Sequence, residues 1–444
     1  MMLYLKYFVI LFLISSSTFA QKNMKLNDAV EIALRRNTQL QKSMESIKSY
    51  ESNTKAAFGA LLPTLSASAG WNWTRSEDEG GEINIGGSII QVPKQITESR
   101  NYSAGLSSGW NLFDGLSNYA NLARNRNNLE AAKYSIERIK QDIIYQTVSF
   151  YFDVLNAEKL LKVKEEDLKW NQKNYEIINE RNKLGAVTLA DVYAQQVKLG
   201  NAELELIKAK NSLETIKSGM LYYLGLDVLD VYSFEDPQYK TNDIDPSTDD
   251  FVIDSNISEL INSALKNRAD YKSSQFSLQS ANESITMAKA GHLPSLRNYA
   301  SFGLRSNQLK NLMDSRTYQV GLSLDIPIFS GWNVDNRIQL AEVEAKTRQL
   351  DLADLERLIK KDLQKNYLDL TASEKRVDVS KKNVNAAEEN RKIEEEKYFL
   401  GSTTLLNVLI ANSEYTNALS GYINAQYEYL KLKTQAEYLL GTLK

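Results

Sequence analysis

Few residues in this chain could do chemistry. His292 is the one histidine, and cysteine is absent. The lack of cysteine removes thiol catalysis, disulfides, thiolate metal sites and N-terminal lipoprotein acylation. His292 lies near the entrance to a strand pattern, where a structural or surface role suits it better than a metal or proton site. Asp191 falls in the first turn of a helix pattern, a place where the helix dipole alone favours an acid. The Glu/Lys run from Glu388 to Lys397 reads as the solvated face of a coiled coil. Catalysis needs a nucleophile, paired carboxylates or a metal cluster at a meaningful spacing. None stands out from ordinary helix surface, so no enzyme, no cofactor and no metal site is expected. A net charge of −3 gives no electrostatic case for nucleic acid.

The elements that position these residues come in two copies. Ala33-Leu34-Arg35 is echoed by Ala264-Leu265-Lys266, and Leu62-Pro63-x-Leu65 by Leu293-Pro294-x-Leu296, both 231 residues apart. Tyr102, Gly105, Leu106, Phe113 and Gly115 recur as Tyr318, Gly321, Leu322, Phe329 and Gly331, now 216 apart. The same offset of 216 relates Leu184-Gly185 to Leu400-Gly401, Thr188-Leu189 to Thr404-Leu405, and Leu224-Gly225 to Leu440-Gly441. Fifteen extra residues therefore sit in the first copy, within the Gly-rich polar stretch from Ser76 to Arg100, which reads as a loop. From Tyr102 to Gly225 no gap is needed, so that block should be continuous regular structure.

Residues 1–20 read as a secretory signal, with Lys6 before an apolar run and Thr18-Phe19-Ala20 at the cleavage site. The run is too short for a membrane helix, and no later stretch is long and apolar enough, so any membrane role must use strands. The first repeat is assigned to 21–226, an acidic connector to 227–256 and the second repeat to 257–444.

Strands are expected at about 65–75, 102–113, 296–306 and 317–329, where apolar and small polar residues alternate. Tyr102, Ala104, Leu106, Trp110 and Leu112 share one face, with Ser103, Gly105, Ser107, Gly109 and Asn111 opposite. A soluble sheet with one wet face has the same alternation. The signal segment, the Trp and Tyr placement and the small polar residues on the second face favour a barrel wall. Four strands cannot close a barrel, and an open edge is not allowed in lipid. The strands must be shared between chains. Two, three or four copies would supply eight, twelve or sixteen.

Helices are expected at about 26–61, 117–184, 189–224, 257–292, 333–400 and 405–440. From Leu116 to Lys183 there is neither Gly nor Pro, and Leu122, Leu129, Ile136, Ile143, Phe150 and Ala157 recur every seven residues. Ile338, Ala345, Leu352 and Ile359 do the same in the second copy. Gly185 and Gly401 act as helix stops, and the shorter helices pair end to end against each long one. The fold class is thus an α+β membrane protein: a duplicated β-hairpin plus long coiled-coil helices, forming an oligomeric β-barrel with an α-helical periplasmic tunnel.

Lys183 to Val192 (KLGAVTLADV), the turn Gly401 to Leu409 and the terminal Tyr438 to Leu443 resemble the TolC family of outer-membrane efflux proteins. The resemblance covers essentially the whole mature chain and implies a homotrimer with a twelve-stranded barrel in outer-membrane lipid. It also implies a Gram-negative outer-membrane location with a periplasmic extension. Its tip would open when a periplasmic adaptor protein and an inner-membrane pump dock. The adaptor would touch the turns at Gly185, Thr188, Gly401 and Thr404. Some members close the tip with a tyrosine bonded to an aspartate, here Tyr398 and Asp191 by position; an arginine partner falls at Thr403. Members with an acidic ring place two aspartates where this chain has Asn407 and Ile410, so a neutral gate is expected. The implied function is the exit channel of a tripartite efflux or type I secretion system. The competing reading is a periplasmic coiled-coil adaptor or scaffold, which would show one helical hairpin rather than two.

Overall fold

The structure is a computed structural model and describes residues 22–235 and 257–443. The proposed signal segment and most of the acidic connector lie outside the described residues.

Two helices dominate. α3 (Ser117–Lys183) and α7 (Asn333–Phe399) are each 67 residues long. At 1.5 Å per residue each extends about 100 Å. Their return partners are α4 (Leu189–Tyr223) and α8 (Leu405–Leu440). No helix among the described residues is long and apolar enough to cross a membrane. The remaining helices are α1 (Leu26–Arg36), α2 (Thr38–Gly59), α5 (Ile257–Asn267) and α6 (Ala269–Lys289). The periodic pattern predicts single helices over 26–61 and 257–292, and the structure breaks both. Asn37 leaves helical geometry (ψ 116°) and its side chain accepts a hydrogen bond from the Leu40 backbone N–H at 3.0 Å. It therefore caps a new helix rather than continuing the old one. Arg268, 231 residues on, marks the same break, and its guanidinium donates to the Leu439 carbonyl at 3.4 Å. The second segment then ends in a short 3-10 turn, Ala290–His292.

The chain divides into two units, one made of the residues up to Lys42, Glu137–Arg268 and Arg357 onward, the other of Ser43–Ile136 and Ala269–Glu356. In the second unit, β2 (Thr64–Asp78), β5 (Gln95–Asp114), β7 (Ser295–Ser306) and β8 (Arg316–Asp325) form an antiparallel sheet in the order β2-β5-β7-β8. The two hairpins, one per repeat, meet through β5 and β7. The register builds rows of like residues. Ala67, Leu106, Phe302 and Tyr318 stand opposite one another on one face, and Ser66, Ser107, Ser301 and Gln319 on the other. The apolar face is open: Leu65 is 77% exposed and Val320 78%.

Two strand expectations need correction. The polar stretch from Ser76 to Arg100 is not a loop. β2 runs to Asp78, β5 starts at Gln95, and between them β3 (Gly81–Ile85) and β4 (Ser88–Val92) make a separate hairpin. β8 ends at Asp325 instead of continuing to Phe329. Pro327 has no N–H to offer a ladder, which stops the strand.

In the first unit, β1 (Lys22–Met24) pairs in parallel with β6 (Tyr232–Phe234). Tyr151 of α3 is fully buried beneath this pair. Its hydroxyl donates to the Met24 carbonyl at 2.9 Å and lies 2.5 Å from that of Glu235. Phe234 meets the Tyr151 ring edge-on at 5.7 Å. Further along α3, Tyr438 of α8 bonds Asp142 at 3.2 Å and lies under the Arg138 guanidinium at 3.8 Å. Burial pushes the Tyr438 phenol up to about 12, against the pull of Arg138.

Tyr151→Phe keeps the ring and removes the hydroxyl that donates to the buried Met24 carbonyl. Unfolding of the solubilised protein by urea should show a loss of about 1–3 kcal/mol; an unchanged midpoint would mean that the ring, and not the hydroxyl, holds β1 to β6.

Candidate functional site

The α3–α4 and α7–α8 turns are built alike. Gly185 (φ +74°) and Gly401 (φ +75°) adopt the left-handed conformation that a side chain would strain. Around the first, the Ala186 N–H donates to the Arg181 carbonyl at 2.8 Å and that of Gly185 to Asn182 at 2.8 Å. Around the second, the Ser402 N–H reaches the Lys397 carbonyl at 2.8 Å and that of Gly401 reaches Tyr398 at 3.1 Å. Both are Schellman stops, which satisfy carbonyls a helix end would otherwise leave open. Leu184 and Leu400 project at the two turns, each 83% exposed.

The return helices start differently. Thr188 caps α4 with a reciprocal box: its hydroxyl accepts from the Asp191 N–H at 3.2 Å and donates to the Asp191 carboxylate at 2.7 Å, while its own N–H donates there at 3.0 Å. Thr404, its counterpart, makes no side-chain cap. Asn407 occupies the position equivalent to Asp191, and its amide donates instead to the Thr403 hydroxyl at 2.9 Å. Thr403 in turn donates to Glu394 at 2.9 Å. The Lys397 ammonium, 2.8 Å away, and the Thr403 hydroxyl hold the Glu394 carboxyl below its usual range.

Behind the turns, Ile178, Val192, Leu405 and Leu409 form a buried apolar cluster, with Trp170, Tyr175, Val187 and Tyr398 packed against it. The Tyr398 hydroxyl is buried and makes no hydrogen bond. Burial pushes its phenol up; the Arg181 guanidinium, 5.2 Å from the ring, works against that, and the Asp191 carboxylate adds to it. The structure thus joins Thr188 to Asp191 and Thr403 to Asn407, and it seats Tyr398 in the cluster. It does not join Tyr398 to Asp191. Ile410 stands apart, exposed one turn beyond Asn407.

A polar belt beyond this cluster is absent from the residues singled out by pattern. Asp167 of α3 accepts from the Asn412 amide at 2.8 Å and the Thr416 hydroxyl at 3.3 Å, both on α8. Gln195 of α4, fully buried, donates to the Asn171 carbonyl at 2.9 Å. Trp170 donates to Glu395 of α7 at 2.8 Å. The belt crosses all four helices, and a buried polar layer fixes which turn of one helix faces which of the next. Its signal was present in the sequence: continuing the heptad from Ala157 by sevens reaches Lys164, Asn171 and Ile178. His292 lies 3.6 Å from Asp335, both half exposed. No group of His, Asp and Glu among the described residues is arranged to hold a metal.

The chain matches the pattern of the outer membrane efflux protein family over residues 29–225 and 260–442. It is 23% identical over 424 residues to the outer membrane protein TolC of Escherichia coli K12, covering 92% of this chain and 80% of that one. It is 21% identical over 439 residues to the proteases secretion protein PrtF of Dickeya chrysanthemi, covering 97% and 91%. The crystal structure of the Campylobacter jejuni CmeC outer membrane channel superposes with a TM-score of 0.80 at 20% identity, over 94% of this chain and 85% of that one. With both repeats spanned by one family pattern and the whole arrangement of helices and strands shared with a solved channel, the chain belongs to the outer membrane efflux protein family.

Proposed function

We propose that this outer-membrane exit channel, which serves efflux or type I secretion, is a trimer whose twelve strands close one barrel and whose helices form a periplasmic tunnel. The observation that supports the reading is the four-stranded sheet: its apolar face is open, and β2 and β8 end it without a partner strand among the described residues. Lipid satisfies the apolar face but offers nothing to the edge N–H and C=O groups. Pairing β8 of one copy with β2 of the next answers that need without new secondary structure. Mass measurement on the detergent-extracted protein, followed by planar-bilayer recording, tests it. A trimer with stable conductance is expected, and a monomeric mass would overturn it.

A periplasmic adaptor protein and an inner-membrane pump complete the proposed machine. The exposed Leu184 and Leu400, beside Gly185, Thr188, Gly401 and Thr404, present the adaptor with an apolar tip. Cargo passes without a chemical step in this chain and is chosen by the pump.

The gate is proposed to be neutral, lined by Asn407 and Ile410 with Thr403 behind. Wild-type conductance should therefore be insensitive to divalent cations. The double variant Asn407→Asp with Ile410→Asp should acquire block, since three copies would bring six carboxylates together; block of equal strength in the wild type would exclude a neutral ring.

Asp191 is committed to the α4 cap and the Tyr398 hydroxyl is idle, so the closed tip is held by the apolar cluster. Tyr398→Phe should leave both stability and resting conductance unchanged. Leu409→Ala should cost about 2–4 kcal/mol of local packing and raise resting conductance. The reverse pattern in the same recordings would restore the tyrosine–aspartate latch.

A further inference from the structure

The register of the sheet decides which side chains border the lipid and which way they face. At the end from which the helices leave, the open apolar face closes on Leu65, Phe113, Leu296 and Leu324, and the strands carry no base beyond them. At the other end it closes on aromatic rings: Trp71 and Trp73 on β2, Tyr102 on β5 and Tyr318 on β8. The span from Leu65 to Trp73 fits the roughly 9–11 residues with which a strand crosses a bilayer. Rings at that level match the aromatic girdle of a membrane barrel.

Two residues past the last ring, on the same face, three of the four strands place an arginine. Arg75 follows Trp73, Arg100 precedes Tyr102 and Arg316 precedes Tyr318, whereas β7 ends on Ser306. All three arginines are exposed. Arg75 is committed, pairing with Glu77 at 2.7 Å and with Glu98 of β5 at 3.8 Å. Arg100 stands directly across from Trp73 and has no ion pair among the described residues. Arg316 has none either, and its Nε donates to the Met313 carbonyl at 3.1 Å.

Solubility alone asks for mixed charge at a water boundary. Here both outward acids of β2 and β5 at this level are taken by Arg75, so what remains open is basic. Free guanidiniums one step beyond an aromatic girdle lie at the depth of lipid headgroups. A guanidinium grips a phosphate through two parallel N–H bonds, and an anionic leaflet attracts such groups.

We propose that Arg100 and Arg316 each hold the phosphate of an outer-leaflet lipid whose acyl chains lie on the rings and the apolar face. The proposal rests on the barrel reading. Its test offers the detergent-extracted full chain purified diphosphoryl lipid A, the dephosphorylated form, and inorganic phosphate, with bound lipid counted by native mass spectrometry. The wild-type trimer should retain the diphosphoryl form at least about ten-fold better than the dephosphorylated one. Arg100→Gln with Arg316→Gln should keep the trimer mass and lose that preference. Arg305→Gln, on the opposite face of the sheet and likewise without an ion pair, should keep both. A trimer with no preference, or one whose preference survives the double variant or falls equally in Arg305→Gln, would overturn the headgroup site alone. So would full displacement of the lipid by inorganic phosphate, which would show a site for the free ion. A monomeric mass would overturn the barrel reading and the headgroup site together.

Discussion

In the interior of a bilayer a backbone N–H or C=O has no water to turn to, so each must find its partner within protein. Nearly everything about this chain answers to that demand at the two edges of one sheet. β2 and β8 are long, apolar on one face and open along one side. A soluble protein would blunt such edges with charge or a bulge. Here the rows Ala67–Leu106–Phe302–Tyr318 and Ser66–Ser107–Ser301–Gln319 run cleanly from edge to edge, as the proposed barrel wall requires.

Duplication supplies the pieces of that wall and of the helices behind it, and the two copies have then been put to different uses. At the turns, Thr188 and Asp191 form a full capping box, whereas Thr404 and Asn407, their equivalents, have released it and tied Asn407 to Thr403 and Glu394. Both helix starts nonetheless serve the same apolar cluster, α4 through Val192 and α8 through Leu405 and Leu409. Behind it, the belt through Asp167, Asn412, Thr416, Asn171 and Gln195 fixes helix register.

Much of this was legible in the residues, for identifiable reasons. Long helices announce themselves by period and by the lack of Gly and Pro, and glycine at 185 and 401 marks their ends. Asp191 sits where the first turn of a helix favours an acid, which is a local pattern. The breaks at Asn37 and Arg268 were not legible, because both interrupt segments whose periodicity is good on either side. The short hairpin was hidden by Gly-rich, polar composition that reads as loop; its alternation covers only five residues per strand. The unpaired state of Tyr398 depends on how α7 meets α4, two segments about two hundred residues apart, and no local spacing encodes it.

The parallel pairing of β1 with β6 has a consequence for how the chain acquires its structure. Lys22 meets Tyr232, 210 residues later in the sequence. Contacts of such separation carry a large loop-closure entropy and form late. The first strand must therefore wait until α3 and α4 have folded back on each other and brought Tyr151 beneath it. The small parallel pair, pinned by one phenolic hydroxyl, thus costs the most chain entropy to close unless the helical hairpins have already brought its two strands together.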